Sequence, residues 1–174
     1  LFYSNILKKK PSKKELVYSV KIRSIKDNFR KDLIPNTGSI FIQERKPNSH
    51  EMNMSEWILK EFGGDITFLR ERGDEGIKTP DATWSGIELE IKKASGTSSV
   101  NNRVRTAVNQ LSEKGIILLD ISENEKNMEV LKQEATRRVV RSLVEDDVKI
   151  RHVYIIFMKK KQLMDILEIK ERGR

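Results

Sequence analysis

Pro80-Asp81-Ala82-Thr83-Trp84-Ser85-Gly86-Ile87-Glu88-Leu89-Glu90-Ile91-Lys92 is the stretch on which the reading of this chain turns. Ser85-Gly86 is a turn signal between two short runs, and the run from Ile87 to Lys92 reads as a strand. Side chains alternate along a strand, so Ile87, Leu89 and Ile91 share the core side, and Glu88, Glu90 and Lys92 share the other. Asp81 lies across the turn on a segment that can fold back alongside. A carboxylate from one strand, a carboxylate from its neighbour and an ammonium two residues on then converge.

Such a grouping suits phosphodiester hydrolysis. Two carboxylates, completed by water and a backbone carbonyl, make a hard oxygen site for Mg²⁺ or Mn²⁺. The ion would polarise a scissile phosphate and lower the pKa of a bound water. The lysine would orient that water or offset charge on phosphorus. The plainer alternative is a strand whose Glu, Glu and Lys merely keep a solvent face soluble.

Working outward, Lys46-Pro47-Asn48-Ser49 is a break, with Ser49 as N-cap of a helix from His50 to Phe62 that Gly63-Gly64 ends. Residues 65–69 (DITFL) read as a short strand, and residues 70–79 as a charged loop. After the hairpin, Ser95-Gly96-Thr97-Ser98-Ser99 offers an N-cap for a helix reaching about Ser112. The apolar run IILLDI, which begins after Gly115, suits a strand covered on both faces. Residues 124–144 form the clearest helix, with Met128, Leu131, Ala135, Val139 and Leu143 on one face. HVYIIFM, from His152 to Met158, is another buried strand, and Lys161 to Lys170 is expected to be a terminal helix. Strands alternate with helices, which predicts an α/β fold with a central mixed β-sheet covered on both faces.

Residues 15–33 carry Leu16, Val17, Val20, Ile25, Phe29 and Leu33 at loosely helical spacing, and Ile34-Pro35-Asn36-Thr37-Gly38 is a turn or linker. Residues 1–47 are therefore expected to be a basic N-terminal extension or small helical subdomain, and 48–174 the main domain. The charge supports that division. Of the net charge of +8, all lies in residues 1–47, which hold 12 Lys/Arg against 4 Asp/Glu, whereas the remainder holds 22 of each sign. A local basic segment such as Lys8-Lys9-Lys10 with Lys13-Lys14 attracts polyanions, or forms a solvated arm. With no Cys, disulfides, thiolate metal sites and a Cys nucleophile are excluded; with only two His, a His-rich zinc site is not expected. No apolar run reaches transmembrane length and the start does not read as a signal peptide. The first residue is Leu, which is expected of a fragment, a processed product or the tail of a longer chain.

The same residues carry a family resemblance. His50-Glu51 opens a helix; Gly63/Gly64 and DITFL follow; then come Gly76-Ile77-Lys78-Thr79-Pro80-Asp81, Gly86 and Glu90-Ile91-Lys92. A Ser/Thr-rich loop, a helix ending near Gln110 and an apolar strand ending Leu119-Asp120 complete an ordered set over about 70 residues. This pattern resembles the PD-(D/E)xK nucleases of restriction-endonuclease-like fold. Within them it is similar to the nuclease domains at the C-termini of contact-dependent growth inhibition toxins and related polymorphic toxins.

The resemblance implies Asp81 and Glu90 as metal ligands, Lys92 as the catalytic lysine and Glu51 as a further acid, with Mg²⁺ or Mn²⁺ as cofactor and Zn²⁺ a further option. Glu56 competes with Glu51 from the same helix but points about 140° away, and a capping role for Glu51 stays open beside the catalytic one. Gln110 resembles a position near the family's active site. Arg103 and Thr106 share its helix face, and with Ser99 and Lys78 they are the candidate substrate contacts. Glu88 has no assigned role, and an aromatic residue common before the ExK glutamate is Leu89 here. Implied in turn are a tRNA-cleaving toxin domain delivered into a target-cell cytoplasm from a larger secreted protein, and a cognate immunity protein. The alternatives are a DNA endonuclease of defence, repair or mobile-element processing, and an inactive nuclease-fold module that binds nucleic acid.

Overall fold

The computed structural model describes residues 29–71 and 78–171, together with the backbone of residues 18–23. Its elements run β1 (Tyr18–Arg23), β2 (Ile40–Ile42), α1 (Ser49–Glu61), β3 (Ile66–Phe68), β4 (Ala82–Trp84), β5 (Ile87–Lys93), α2 (Thr97–Gln110), β6 (Lys114–Asp120), α3 (Met128–Glu145), β7 (His152–Lys159) and β8 (Gln162–Glu171). All eight strands join one mixed sheet in the order β1-β8-β7-β6-β5-β4-β3-β2. The β2–β3, β5–β6 and β6–β7 pairs are parallel and the others antiparallel. The mixed α/β architecture expected from the alternating pattern is the one observed.

The sheet is covered on both sides. Met54, Trp57 and Ile58 of α1, with its C-cap residue Phe62, pack with Leu89, Ile91, Ile116, Leu118, Ile156 and Met158. On the opposite side, Val100, Val104, Ala107 and Val108 of α2 and Leu131, Ala135, Val139 and Leu143 of α3 pack with Ile117, Leu119, Ile155 and Phe157. The two layers alternate residue by residue along β6, as a strand buried on both faces must. Each fully buried Leu or Ile in this strand contributes about 1.5–3 kcal/mol of transfer free energy, so β6 anchors the sheet and fixes the register of β5 beside it.

The β4–β5 hairpin forms as predicted. Ser85 and Gly86 both have positive φ, 43° and 84°, the backbone twist that matches a two-residue hairpin loop. The α1 helix starts one residue earlier than expected: Asn48, not Ser49, is the N-cap. It ends where Gly63 adopts φ 84°, and a Cβ there would lie 1.8 Å from the Ile34 carbonyl oxygen, so the exit from the helix is closed to any other residue. The α2 helix begins at an N-cap Gly96 that makes no side-chain cap bond, although Ser and Thr surround it.

Two helical expectations are corrected. Residues 162–171 form β8, not a terminal helix, and pair antiparallel with β7 on one side and β1 on the other. Lys160 and Lys161 take positive φ, 49° and 60°, and turn the chain back into a hairpin. The loosely helical segment 15–33 contains the edge strand β1, and residues 29–33 are turns and a bend. Thus residues set apart by sequence as an N-terminal extension supply both edge strands, β1 and β2, of the same sheet. The basic stretch at Lys8–Lys10 and Lys13-Lys14 lies outside the described residues.

Candidate active site

The β4–β5 hairpin places Asp81, one residue before β4, opposite Glu90, because Ala82 pairs with Leu89. The Asp81 amide donates to Glu90 Oε1 at 2.9 Å, and the Ile91 amide donates to Asp81 Oδ2 at 3.0 Å. Lys92 Nζ lies 3.3 Å from Asp81 Oδ2 and 2.7 Å from Glu90 Oε2. The three side chains singled out by sequence therefore meet at one point. They lie on the α2/α3 side of the sheet, since Glu90 and Lys92 pair with Ile117 and Leu119. Because that side is also packed, Glu90 is 1% exposed, and it is no solvent-face carboxylate.

Burial sets the electrostatics. Desolvation, then the neighbouring charge of Asp81, push the Glu90 carboxyl up to about 7, against the pull of Lys92. Burial disfavours the Lys92 ammonium, but the charges of Glu90 and Asp81 outweigh it and hold its pKa above the ordinary value. Lys92 is consequently a cation at neutral pH, able to donate and to offset negative charge.

Glu51 is buried and Glu56 exposed, which separates the two candidate acids of α1. Glu51 completes a capping box: Asn48 Oδ1 accepts its amide at 2.8 Å and its Oε2 accepts the Asn48 amide at 3.0 Å. It also faces the hairpin through Arg45, whose Nη1 lies 3.3 Å from Glu51 Oε2 and whose Nη2 lies 3.8 Å from Asp81 Oδ1. The capping role and a place beside the site are thus held by one carboxylate. Glu88 is accounted for separately: it accepts from the amide and hydroxyl of Ser112 at 2.6 and 2.7 Å, tying the end of α2 to the start of β5.

The proposed substrate contacts are not drawn into this cluster. Arg103 and Lys78 are exposed, Ser99 is half-buried, and Thr106 donates to the Asn102 carbonyl of its own helix. Among the described residues, no hydrogen bond or ion pair links these four or Gln110 to Asp81, Glu90 or Lys92. Gln110 Oε1 is nonetheless buried without a hydrogen-bond partner among the described residues, as is Thr79 Oγ1, two residues before Asp81.

Arg45, beside the site, and Asp120, on the opposite side of the sheet, have no role assigned from sequence. Arg45 is one of twelve basic residues in the first 47, and nothing in its local pattern sets it apart. Asp120, at the end of β6 on the α1 side, accepts from both the amide and hydroxyl of Ser122 and bonds His50 Nε2 at 2.8 Å. Burial raises the Asp120 pKa, but the Ser122 and His50 hydrogen bonds outweigh it and hold the carboxyl below its ordinary value. His50 is therefore partnered by a carboxylate and shares its helix turn with Glu51. Trp57 and Trp84 are core residues, their indole N–H groups bonded to the carbonyls of Lys161 and Gly63.

Among the described residues no three His, Cys, Asp or Glu side chains group into a metal cage. The pair Asp81 and Glu90 still fits a hard divalent ion that keeps most of its water, which takes only one or two protein carboxylates. One observation supports the fit: Asp81 Oδ1 accepts no hydrogen bond from the described residues, whereas Glu90 Oε1 accepts the Asp81 amide and Oε2 is paired with Lys92. No family model, curated protein or solved structure matches the chain. No described helix is long and apolar enough to cross a membrane.

Proposed function

We propose that the chain is a metal-dependent nuclease that hydrolyses phosphodiester bonds at Asp81, Glu90 and Lys92. The observation that carries this reading is the convergence of the Asp81 and Glu90 carboxylates on the single ammonium of Lys92, at 3.3 and 2.7 Å. A fully buried carboxylate pushed up to about 7 is costly to the fold, and a site held at such cost is better explained by chemistry than by solubility.

A divalent ion bound there, Mg²⁺ or Mn²⁺ foremost, would polarise the scissile phosphate and supply an activated water. Asp81, through Oδ1, and Glu90 would hold it. Lys92, charged at neutral pH, donates to the attacking water or to the phosphoryl oxygens as negative charge develops. The Asp81–Glu90 amide bond and the Ile91–Asp81 bond keep the two carboxylates aligned to each other before any substrate arrives.

The hairpin bearing Asp81 and Glu-x-Lys, the parallel β5–β6 neighbour and the acid of α1 support a PD-(D/E)xK core of restriction-endonuclease-like type. The family resemblance implies RNA, with tRNA foremost, as substrate; a metal ion and Lys92 would act on a DNA phosphodiester in the same way. The resemblance also implies a toxin domain delivered to a target-cell cytoplasm from a larger secreted protein and neutralised by an immunity protein. The test is incubation of the purified chain with total tRNA and with plasmid DNA, in Mg²⁺, Mn²⁺, Zn²⁺ or EDTA. The expected outcome is tRNA cutting that EDTA and Asp81→Ala abolish. Cutting of DNA alone would redirect the reading to a DNA endonuclease. Binding of nucleic acid without cutting, unaffected by EDTA and by Asp81→Ala, would replace it with an inactive binding module.

A further inference from the structure

We propose that Arg45 is a positioning residue of this site, the resident counter-cation that a divalent ion must displace from Asp81; the inference rests on the metal-dependent reading above. Arg45 lies between β2 and α1, and its guanidinium spans three carboxylates. Nη1 lies 3.4 and 3.3 Å from Glu51 Oε1 and Oε2, and Nη2 lies 3.5 Å from Glu51 Oε1. Nε lies 3.3 Å from Glu71 Oε1, and Nη2 lies 3.8 Å from Asp81 Oδ1.

These distances assign different tasks to the contacts. Glu51 is hydrogen-bonded to the guanidinium, whereas Glu71, to which Nε makes no aligned hydrogen bond, and Asp81, beyond hydrogen-bonding range, are held by charge alone. Asp81 has already committed Oδ2 to the Ile91 amide and to Lys92. Its open oxygen is Oδ1, the one Arg45 faces. An ion approaching Oδ1 therefore meets a like charge about one water diameter away, and that repulsion weakens its binding. Because the fork keeps its hydrogen bonds to Glu51, withdrawal from Asp81 leaves no guanidinium stranded without a partner. Arg45 thus holds α1 and the hairpin together and sets how tightly the carboxylate pair takes its ion. A planar five-donor head can share itself among three acceptors in this way; a lysine would supply the charge without the fork.

The test is direct binding of Mn²⁺, read from free Mn²⁺ by electron paramagnetic resonance, to the full chain and to the variants Arg45→Met, Arg45→Lys and Asp81→Asn. Removing the competing charge should tighten Mn²⁺ binding about three- to tenfold in Arg45→Met. Arg45→Lys, which retains the charge, should stay within about twofold of the parent, and Asp81→Asn should lose the site. Unchanged or weaker Mn²⁺ binding in Arg45→Met, with Asp81→Asn still losing it, overturns the inference and leaves the metal-dependent reading standing. Mn²⁺ binding that is absent from the parent chain, or indifferent to Asp81→Asn, overturns both. Should Arg45→Met fail to fold by circular dichroism, the parent chain decides. Its arginine Nε–H resonance assigned to Arg45, by absence in Arg45→Lys, is expected to shift as Mg²⁺ is added, and a resonance that does not move rejects the displacement.

Discussion

Each oxygen of the Asp81 carboxylate faces a different cation, Oδ1 the Arg45 guanidinium and Oδ2 the Lys92 ammonium. Glu90, one strand over, has no such balance, because it is buried and shares Lys92. The sign of its effect on stability follows from its pKa, raised from 4.5 to about 7. Glu90 holds its proton more tightly folded than unfolded, so its contribution is fully present below 4.5 and lost as pH rises through about 7. Without divalent ions, the parent chain is therefore expected to lose about 2 kcal/mol more than Glu90→Gln between about pH 5 and pH 8, measured by urea unfolding. Equal losses in the two chains would contradict the burial argument. Asp81, Glu90 and Lys92 were legible in the sequence because strand alternation and a two-residue turn are local geometry. Arg45 was not, because its three partners come from three separate segments and only tertiary folding brings them together.

At the scale of elements, the N-terminus of α1 is the joint between helix and site. One carboxylate, Glu51, closes the capping box with Asn48 and engages Arg45. Asn48→Ala should cost about 1 kcal/mol of stability through loss of the cap, read as a lower urea midpoint at unchanged slope; no change would mean that Arg45 alone fixes the helix end. Hairpin and helix elements with one strong signal were readable: the Ser85-Gly86 turn, the apolar stripe from Leu131 to Leu143 and the unbroken run of β6. The failures had a common physical cause. Leu163, Met164, Ile166, Leu167 and Ile169 fit a helical period as well as a strand packed on both faces, and pairing with β7 and β1 decides between them. The same ambiguity hid β1.

Across the whole molecule, the sheet is what makes a buried charged site tolerable. Residues of β6 and β7 pack against α1 on one side and against α2 and α3 on the other, so the hairpin beside them is held rigidly enough to keep like-charged carboxylates together. The charge asymmetry along the chain was legible from composition, but the strand order was not, because both edges of the sheet come from the first 47 residues, whose dominant feature is their charge. In the proposed function this scaffold presents Lys92 to a reacting phosphate and not merely to its two carboxylates. Single-turnover cleavage by Lys92→Ala, run beside nucleic-acid binding by the same folded variant, tests it most directly. The rate is expected to fall at least about 100-fold below that of the parent chain, with binding within about threefold because other phosphate contacts carry affinity. Weakened binding with an unchanged rate on bound substrate would contradict it.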